Sequence, residues 1–262
     1  SVDFCHFGHL HIWPFGNTVY DSDLMAVYRD GTTIAVDFGR LDGMDIQTLS
    51  THNGIVNFTT RSIPGIAEAH TSGNIGTLQM DGAHAKLNWH AGDVTVGSMY
   101  STSDLAGDYA LSASGGKLQV GALWLLAPTS GTEPFVHIDG GTFTAGAGTV
   151  VVGGAAGAPV FKISSGDMSL DQAWIKIGTD TARTAPMIHV AGGRATIAHP
   201  RFLDIGTGSG NAIQVDNDDW HDIRASALLG WGTSLPSTQT NAYYDINGVA
   251  NKLEVTGTAN AS

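Results

Sequence analysis

The sequence predicts an all-β protein, a right-handed parallel β-helix with three short strands in each coil of 24–27 residues. The first observation is a glycine-containing pair that recurs in steps of 24, 25, 25 and 27 residues. The second members of these pairs are Gly92, Gly116, Gly141, Gly166 and Gly193, and Asp218 takes the next place. A fixed period of this size is typical of a solenoid, in which each repeat forms one coil.

The second observation is that four alternating polar and apolar residues follow each pair. Residues 93–96 and 117–120 are two examples, and this alternation indicates a strand with one buried face. Another strand precedes each pair, as at 161–163, and a third, as at 174–177, ends on glycine. Glycine suits the tight corners between these strands because it adopts positive φ without steric cost. Leucine-rich repeats and propeller blades fit less well, since their residue offsets and repeat lengths are absent.

The composition agrees with a corner-rich fold and limits the partners. Gly accounts for 35 of 262 residues, and charged residues are only 14%, against about 25% in an average protein, so part of the outer surface is expected to be covered. The net charge of −12 argues against nucleic acid or an anionic membrane as a partner. A single cysteine, Cys5, excludes an intrachain disulfide framework. The chain opens at Ser1 without Met or a signal peptide, so we expect a portion of something longer or a processed product.

We expect the chain to divide into a β-helix and a cap. The β-helix is expected over residues 1–230, with irregular coils and insertions over 1–75 and regular coils over 76–230. From residue 231 the repeat stops, and 231–262 are expected to cap the open end, which would otherwise expose unpaired backbone and core. A receptor-binding tip is the alternative for this segment.

Two strands are apolar on both alternate sets of positions, which predicts cover on both faces. They are residues 122–127, which include Trp124 and Leu126, and residues 149–152, which include Val151. In a rod the inner face is already core, so we expect Trp124, Leu126 and Val151 to mark a subunit interface. A homotrimer with closed symmetry would cover such a stripe. A C-terminal loop folded back over it is the alternative.

The N-terminal third concentrates aromatic, acidic and imidazole groups. We align residues 9–13 with 43–47 as successive coils, which would place His11 beside Asp45 and Trp13 beside Gln47 at a coil spacing of about 4.8 Å. Residues 17–31 then form an insertion. It would bring further polar and aromatic side chains to the same place, among them Tyr20, Asp21 and Asp23.

The same segment resembles a known family. Residues 5–16 contain the stretch His-Ile-Trp-Pro-Phe at 11–15, which is similar to a segment of the pectate-lyase-like right-handed β-helix domains of phage tailspikes. The sequence similarity is confined to this segment, and over the rest of the chain only the predicted architecture is similar. It implies an extracellular virion tail protein, usually a homotrimer assembled with other tail proteins, that binds host capsule or O-antigen and often cleaves it. No catalytic set or calcium-binding Asp cluster is carried over, so we expect neither cofactor nor metal.

Two kinds of cleavage chemistry fit these residues. Hydrolysis needs two carboxyl groups, about 5–5.5 Å apart for retention or about 6.5–9.5 Å for inversion, and Asp42 and Asp45 are the expected pair. Elimination needs a base and a group that neutralises a uronate, for which Arg40 with His11 or Tyr20 is suited. The alternative for both aspartates is a structural role in capping corner amides.

Sugar binding needs flat apolar faces and hydrogen-bonding groups, and the same region offers both. The expected glycan-binding residues are Trp13, His9, Tyr20, Asp21, Asp23 and Gln47. In the later coils, four polar residues are expected in one outward stripe, as a solvent or interface stripe or a shallow glycan groove: His137, Lys162, His189 and Gln214. Asp167 and Arg194 are expected to form a surface ion pair.

Three functions remain open at this stage. The first is a tailspike depolymerase that cuts host surface polysaccharide, and the second is a non-enzymatic structural or receptor-binding tail protein with the same fold. The third is a secreted bacterial polysaccharide lyase or adhesin. The doubly apolar strands favour the first two, because they predict a trimer, and the scarcity of carboxylates at strand positions of the regular repeats weakens the enzymatic reading.

Overall fold

The structure is a computed structural model, and it describes residues 4–12, 34–52, 54–63, 66–82, 85–102, 109–127, 131–176, 183–203, 213–216, 221–225, 244–246 and 251–255. Within these residues there are 22 strands and no helix. In chain order the strands are β1 Cys5–Ile12, β2 Ile34–Phe38, β3 Asp42–His52, β4 Ile55–Phe58, β5 Arg61–Ile63, β6 Ile66–Ala69, β7 Ser72–Asp81, β8 Lys86–Trp89, β9 Asp93–Ser101, β10 Leu111–Ala113, β11 Lys117–Ala127, β12 Val136–Ala145, β13 Val150–Gly153, β14 Phe161–Asp171, β15 Trp174–Lys176, β16 Ile188–Val190, β17 Arg194–Ala198, β18 Arg201–Leu203, β19 Ile213–Val215, β20 His221–Ala225, β21 Tyr244–Ile246 and β22 Asn251–Val255.

Twenty of these strands stack in parallel as the three faces of a β-helix, which confirms the predicted fold class. Face A holds the segments that follow the glycine pairs, from β1 and β3 through β9 and β11 to β22. Face B holds the segments that come next along the chain, for example the second half of β11, then β13, β15 and β18. Face C holds the segments that precede the pairs, from β2 and β4 to β21.

The register on face A gives the length of each coil. Val96 pairs with Val120, Val120 with Ala145, Ala145 with Leu170 and Leu170 with Ile197, so these coils have 24, 25, 25 and 27 residues, as predicted. These five side chains are all at most 2% exposed and form one continuous inner column. Each apolar position is therefore buried by its equivalents in the coils above and below, which is how a solenoid builds its core.

The ends of the helix are less regular. The first coil takes 39 residues, from Phe7 to Ile46 on face A, and it contains the long segment expected as an insertion. A short antiparallel hairpin of β5 and β6 interrupts the next coils. In the segment expected as a cap, β21 and β22 extend the stacks of faces C and A, since they pair in parallel with β19 and β20. The rest of residues 231–262 lies outside the described residues.

The corner between faces A and B is a column of glycines. A Cβ added to Gly97 or Gly121 would lie 2.6 Å from the carbonyl oxygen of the preceding corner residue, Gly76 or Gly97. Real Cβ atoms do not approach backbone so closely, so a larger residue would push the coils apart at this corner. The glycine requirement fixes where each strand bends from one face to the next.

Candidate functional site

The cluster expected in the N-terminal third is divided between two faces. His11 pairs with Ser50 rather than with Asp45, so the predicted juxtaposition of His11 and Asp45 is wrong. The residue of the preceding coil that pairs with Asp45 is His6, which lies five residues before His11 in the sequence. As a result, Asp42 and Asp45 belong to face A, whereas His9 and His11 point outward from face B with ring centroids 5.9 Å apart.

The physical reason for this shift is the corner at Gly8. Both candidate registers bury alternate apolar side chains, so alternation alone does not distinguish them. In the structure Phe7 pairs with Ile46 and His9 with Thr48, which places Gly8 beside Gln47 at the A–B corner. Gly8 thus stands in the same corner column as Gly76. Alignment of these corner glycines in the sequence would have given the correct register.

Several predicted glycan-binding residues are not placed by the structure. Trp13, Tyr20, Asp21 and Asp23 lie outside the described residues, so their predicted roles stay predictions. Gln47 is described, and its exposed side chain stands at the A–B corner beside Gly8.

Asp42 is engaged by Arg40. The guanidinium donates to the same carboxylate oxygen, Asp42 Oδ2, from Nη2 at 2.6 Å and from Nε at 3.2 Å. This hydrogen bond lowers the pKa of Asp42 below its ordinary value, since the charged partner stabilises the carboxylate. A carboxyl group with a lowered pKa is a poor general acid, because it is deprotonated at neutral pH. Asp42 is therefore suited to hold Arg40 and not to protonate a leaving group.

Asp45 forms a pair with an imidazole. His6 Nδ1 lies 2.8 Å from Asp45 Oδ2, and the two side chains are 50% and 45% exposed. A carboxylate in this position orients the ring and leaves Nε2 directed away from it. Sequence reasoning missed His6 because it relied on the wrong register. The pair can transfer a proton, so it is the feature of face A on which an enzymatic hypothesis can rest.

The regular coils of face A carry hydrogen-bonding groups and few carboxylates. One outward column runs through amide and hydroxyl side chains: Asn74, Thr95, Gln119, Thr144, Ser169 and Thr196. In the parallel column, Asp93 and Asp167 are separated by three coil steps, through Lys117 and Thr142. At about 4.8 Å per step this is about 14 Å, well beyond the roughly 5–9.5 Å that a glycosidase pair needs. Asp93 and Asp167 therefore do not form a glycosidase pair.

A shallow depression lies on face A over the last regular coils. Its lining side chains are Thr142, Asp167, Met168, Ser169, Arg194, Ala195 and Thr196. The predicted pair of Asp167 and Arg194 is confirmed as a two-point contact, from Nε to Oδ1 at 2.7 Å and from Nη2 to Oδ2 at 3.1 Å. The fork fixes both planar groups beside three hydroxyls, so the depression presents a set of oriented donors and acceptors.

Face B carries an apolar outward column. Tyr100, Trp124, Val150 and Trp174 are successive rungs, and the Tyr100 and Trp124 rings stack with centroids 4.4 Å apart at an interplanar angle of 11°. Trp124 and Leu126 are each 38% exposed and Trp174 is 40% exposed. We call Tyr100, Trp124, Leu126, Val150 and Trp174 the apolar stripe. Exposed apolar side chains grouped in this way are typical of contact surfaces.

Val151 does not belong to this stripe. It pairs with Leu125 and is 0% exposed, so its side chain lies in the core, and the expectation that it lines the interface is wrong. The outward neighbours on the same strand are Val150 and Val152. In a run of three valines, the sequence alone does not show whether the middle valine or its two neighbours face outward. The register with β11 determines this.

Face C carries the predicted polar stripe of His137, Lys162, His189 and Gln214, which pair in this order. Hydrogen bonds join neighbouring coils along this face, including Asn88 Nδ2 to Asn57 Oδ1 at 3.1 Å. Burial and the nearby Lys162 charge lower the pKa of His137. Face C is thus a cross-linked polar surface that contrasts with the apolar stripe on face B.

In the part of the chain that the structure describes, no three His, Cys, Asp or Glu side chains come together as possible ligands of a metal ion. The same residues include no helix long and apolar enough to cross a membrane. Comparison with protein-family models, with curated proteins and with solved structures gave no match.

Proposed function

We propose that this chain is a phage tail protein that acts outside the cell and recognises host surface polysaccharide, capsule or O-antigen, as a homotrimer. The parallel β-helix and the resemblance of residues 5–16 to tailspike domains suggest the class of protein. The observation that carries the proposal is the contrast between the hydrogen-bonding face A and the apolar face B. One face suits a hydroxyl-rich ligand, and the other suits contact with a second copy.

The depression on face A is the proposed sugar-binding site. The fork between Asp167 and Arg194 holds two charged planar groups that can bond vicinal hydroxyls, and Ser169 and Thr196 add neutral partners. Because Asp93 and Asp167 lie too far apart for a hydrolytic pair and Asp167 is held by Arg194, we favour binding without cleavage at this site.

A depolymerase is the second candidate, and the pair of His6 and Asp45 is the observation that favours it. In that case the imidazole would act as a base at the N-terminal end of face A. Host polysaccharide that is shortened by the wild-type protein and left intact by His6→Gln would establish this activity. If the polysaccharide kept its length on size-exclusion chromatography while the protein still bound it, only the binding function would remain supported.

We expect Arg194→Gln to weaken binding of the host polysaccharide about tenfold, because it removes a charge-assisted donor and releases Asp167. Affinity electrophoresis in gels containing capsule or O-antigen from candidate hosts measures this. Asp93→Asn is the matched control, since it changes a carboxylate on the same column four coil steps from Arg194 and should bind as the wild type does. Equal losses in the two variants would place the binding site elsewhere.

We expect Trp124→Glu to convert the trimer to monomer, because a charged side chain on the apolar stripe cannot be desolvated at a subunit contact. Light scattering coupled to size-exclusion chromatography measures the mass. Thr95→Glu adds the same charge on face A and should leave the assembly intact. A wild-type protein that is monomeric at micromolar concentration, or a trimer that survives Trp124→Glu, would refute the assignment of face B.

A further inference from the structure

One cation on face C stands between two histidines in the same column. Lys162 pairs with His137 in the coil before it and with His189 in the coil after it, and all three side chains are half-buried. The rungs of a parallel stack lie about 4.8 Å apart, so the imidazoles flank the lysine stem on both sides. A lysine at an outward rung of such a stack can cover its neighbours with its methylenes while its ammonium reaches solvent.

Both flanking rings are held by hydrogen bonds. His137 Nε2 lies 3.0 Å from Ser164 Oγ, and His189 Nε2 lies 2.6 Å from Asp216 Oδ2. The second oxygen of Asp216 accepts a hydrogen bond from Gln214 Nε2 at 2.8 Å. These contacts fix the rungs before a ligand arrives, which reduces the ordering that binding would otherwise require.

Lys162 is the permanently charged cation of this column, while the carboxylates of Asp139 and Glu133 act on His137 and that of Asp216 is bonded to His189. The carboxylate of Asp216 is already bonded to His189 and Gln214. Lys162 lowers the pKa of His137, after burial, whereas Asp139 and Glu133 raise it. The charge of Lys162 therefore reaches His137, and an anion bound at the ammonium would offset the repulsion between Lys162 and a protonated His137.

We propose that Lys162, flanked by His137 and His189, binds a carboxylate of an acidic polysaccharide. The inference rests on the proposed function for the class of ligand, and it adds that the sugar is acidic and that face C provides a second contact, apart from the depression on face A. Neighbouring rungs extend the site, because Gln214 offers an amide to a sugar hydroxyl one coil beyond His189. Because the protein has a net charge of −12, an anionic ligand is attracted only where a positive charge is exposed, so Lys162 would determine where along the rod the ligand binds.

The histidine makes this site sensitive to pH. The groups that act on His137 are Lys162, Asp139, Glu133 and Ser164. Because its pKa lies below the ordinary value, His137 is neutral at neutral pH and gains a charge only as the pH falls further. A second positive charge beside Lys162 strengthens binding of a carboxylate, provided that the ligand remains ionised. By reciprocity, the bound carboxylate raises the pKa of His137.

The test uses the full chain with polygalacturonate as the acidic probe, dextran as the neutral one and dextran sulfate as a different polyanion. We expect polygalacturonate to bind more tightly at about pH 5.5 than at about pH 7.5, and Lys162→Gln to weaken it about fivefold. Lys86→Gln, which removes a lysine from the same face three coil steps before Lys162, is the matched control and should leave binding unchanged. A nuclear magnetic resonance titration of His137 should give a higher pKa with polygalacturonate than with dextran.

Equal losses in Lys162→Gln and Lys86→Gln, or an unshifted His137, would overturn the inference. Binding of dextran sulfate with the same dependence on Lys162 would support the anion site and extend it to sulfate groups. Failure of the proposed function has a different signature, namely no retention of the protein by any host polysaccharide. Host glycan that is retained equally by wild type and Lys162→Gln, at both pH values, would sink this site and leave the proposed function standing.

Discussion

Gly141→Ala is expected to destabilise the β-helix by about 2–5 kcal/mol. Gly141 has a φ of 68°, in the left-handed region, where an alanine costs about 1–2 kcal/mol. An added Cβ would also lie 2.5 Å from the carbonyl carbon of Gly115 and from the oxygen of Gly116, both backbone atoms of the preceding coil. No side-chain rotation relieves such a clash, so the coils must separate, at a further cost of about 1–3 kcal/mol.

Gly157→Ala is the control for this change. A Cβ added there would meet a single atom, the oxygen of Gly131 at 3.8 Å, and the φ of Gly157 is not positive. We expect a change within about 0.5 kcal/mol. The measurement is urea unfolding monitored by the circular dichroism of the strands. The midpoints are compared directly, because repeat arrays do not always unfold in two states. Equal midpoints for the two variants would mean that the glycine corner does not limit the stacking of coils.

The same steric limit explains why the coils could be predicted from the sequence. Where the backbones of adjacent coils approach most closely at a corner, glycine is favoured, and so Gly116, Gly141 and Gly166 mark the period directly. The outward stripe of His137 and Lys162 followed from the same period, because it places equivalent residues on successive rungs. Features that repeat with every coil are thus readable without a structure.

The candidate site was harder to predict because it depends on register where the repeat is irregular. Both the correct pairing of Asp45 with His6 and the incorrect one with His11 bury alternate apolar residues, so burial does not choose between them. The phase of the valines at 150–152 was ambiguous for the same reason, and Val151 was placed on the wrong side. Arg183 lies in a loop outside the repeat, where no period indicates its contacts.

Arg183→Met is expected to destabilise the fold by about 3 kcal/mol. Arg183 is 2% exposed, and its guanidinium donates from Nη1 to Ala155 O at 2.9 Å and from Nη2 to Ala158 O at 2.8 Å and Pro186 O at 3.2 Å. Burial lowers its pKa to about 10, so it remains charged at neutral pH. Methionine keeps much of the volume but removes the donors. The buried carbonyls of Ala158 and Pro186 then lose this donor, at about 1 kcal/mol or more each, and that of Ala155 keeps only the longer bond from Ala158 N at 3.4 Å.

This loss should appear as a lower urea midpoint, and its pattern separates a hydrogen-bonding role from simple packing. Arg183→Lys supplies one ammonium in place of the planar fork, so we expect it to restore part of the stability and not all of it. Thr184→Ala, at the exposed adjacent position, should change the stability by less than about 0.5 kcal/mol. If Arg183→Met were as stable as the wild type, the carbonyls of Ala158 and Pro186 would have to be satisfied by water. The loop between faces B and C would then be hydrated, and the coils would be held together by their strands and glycine corners without the buried guanidinium.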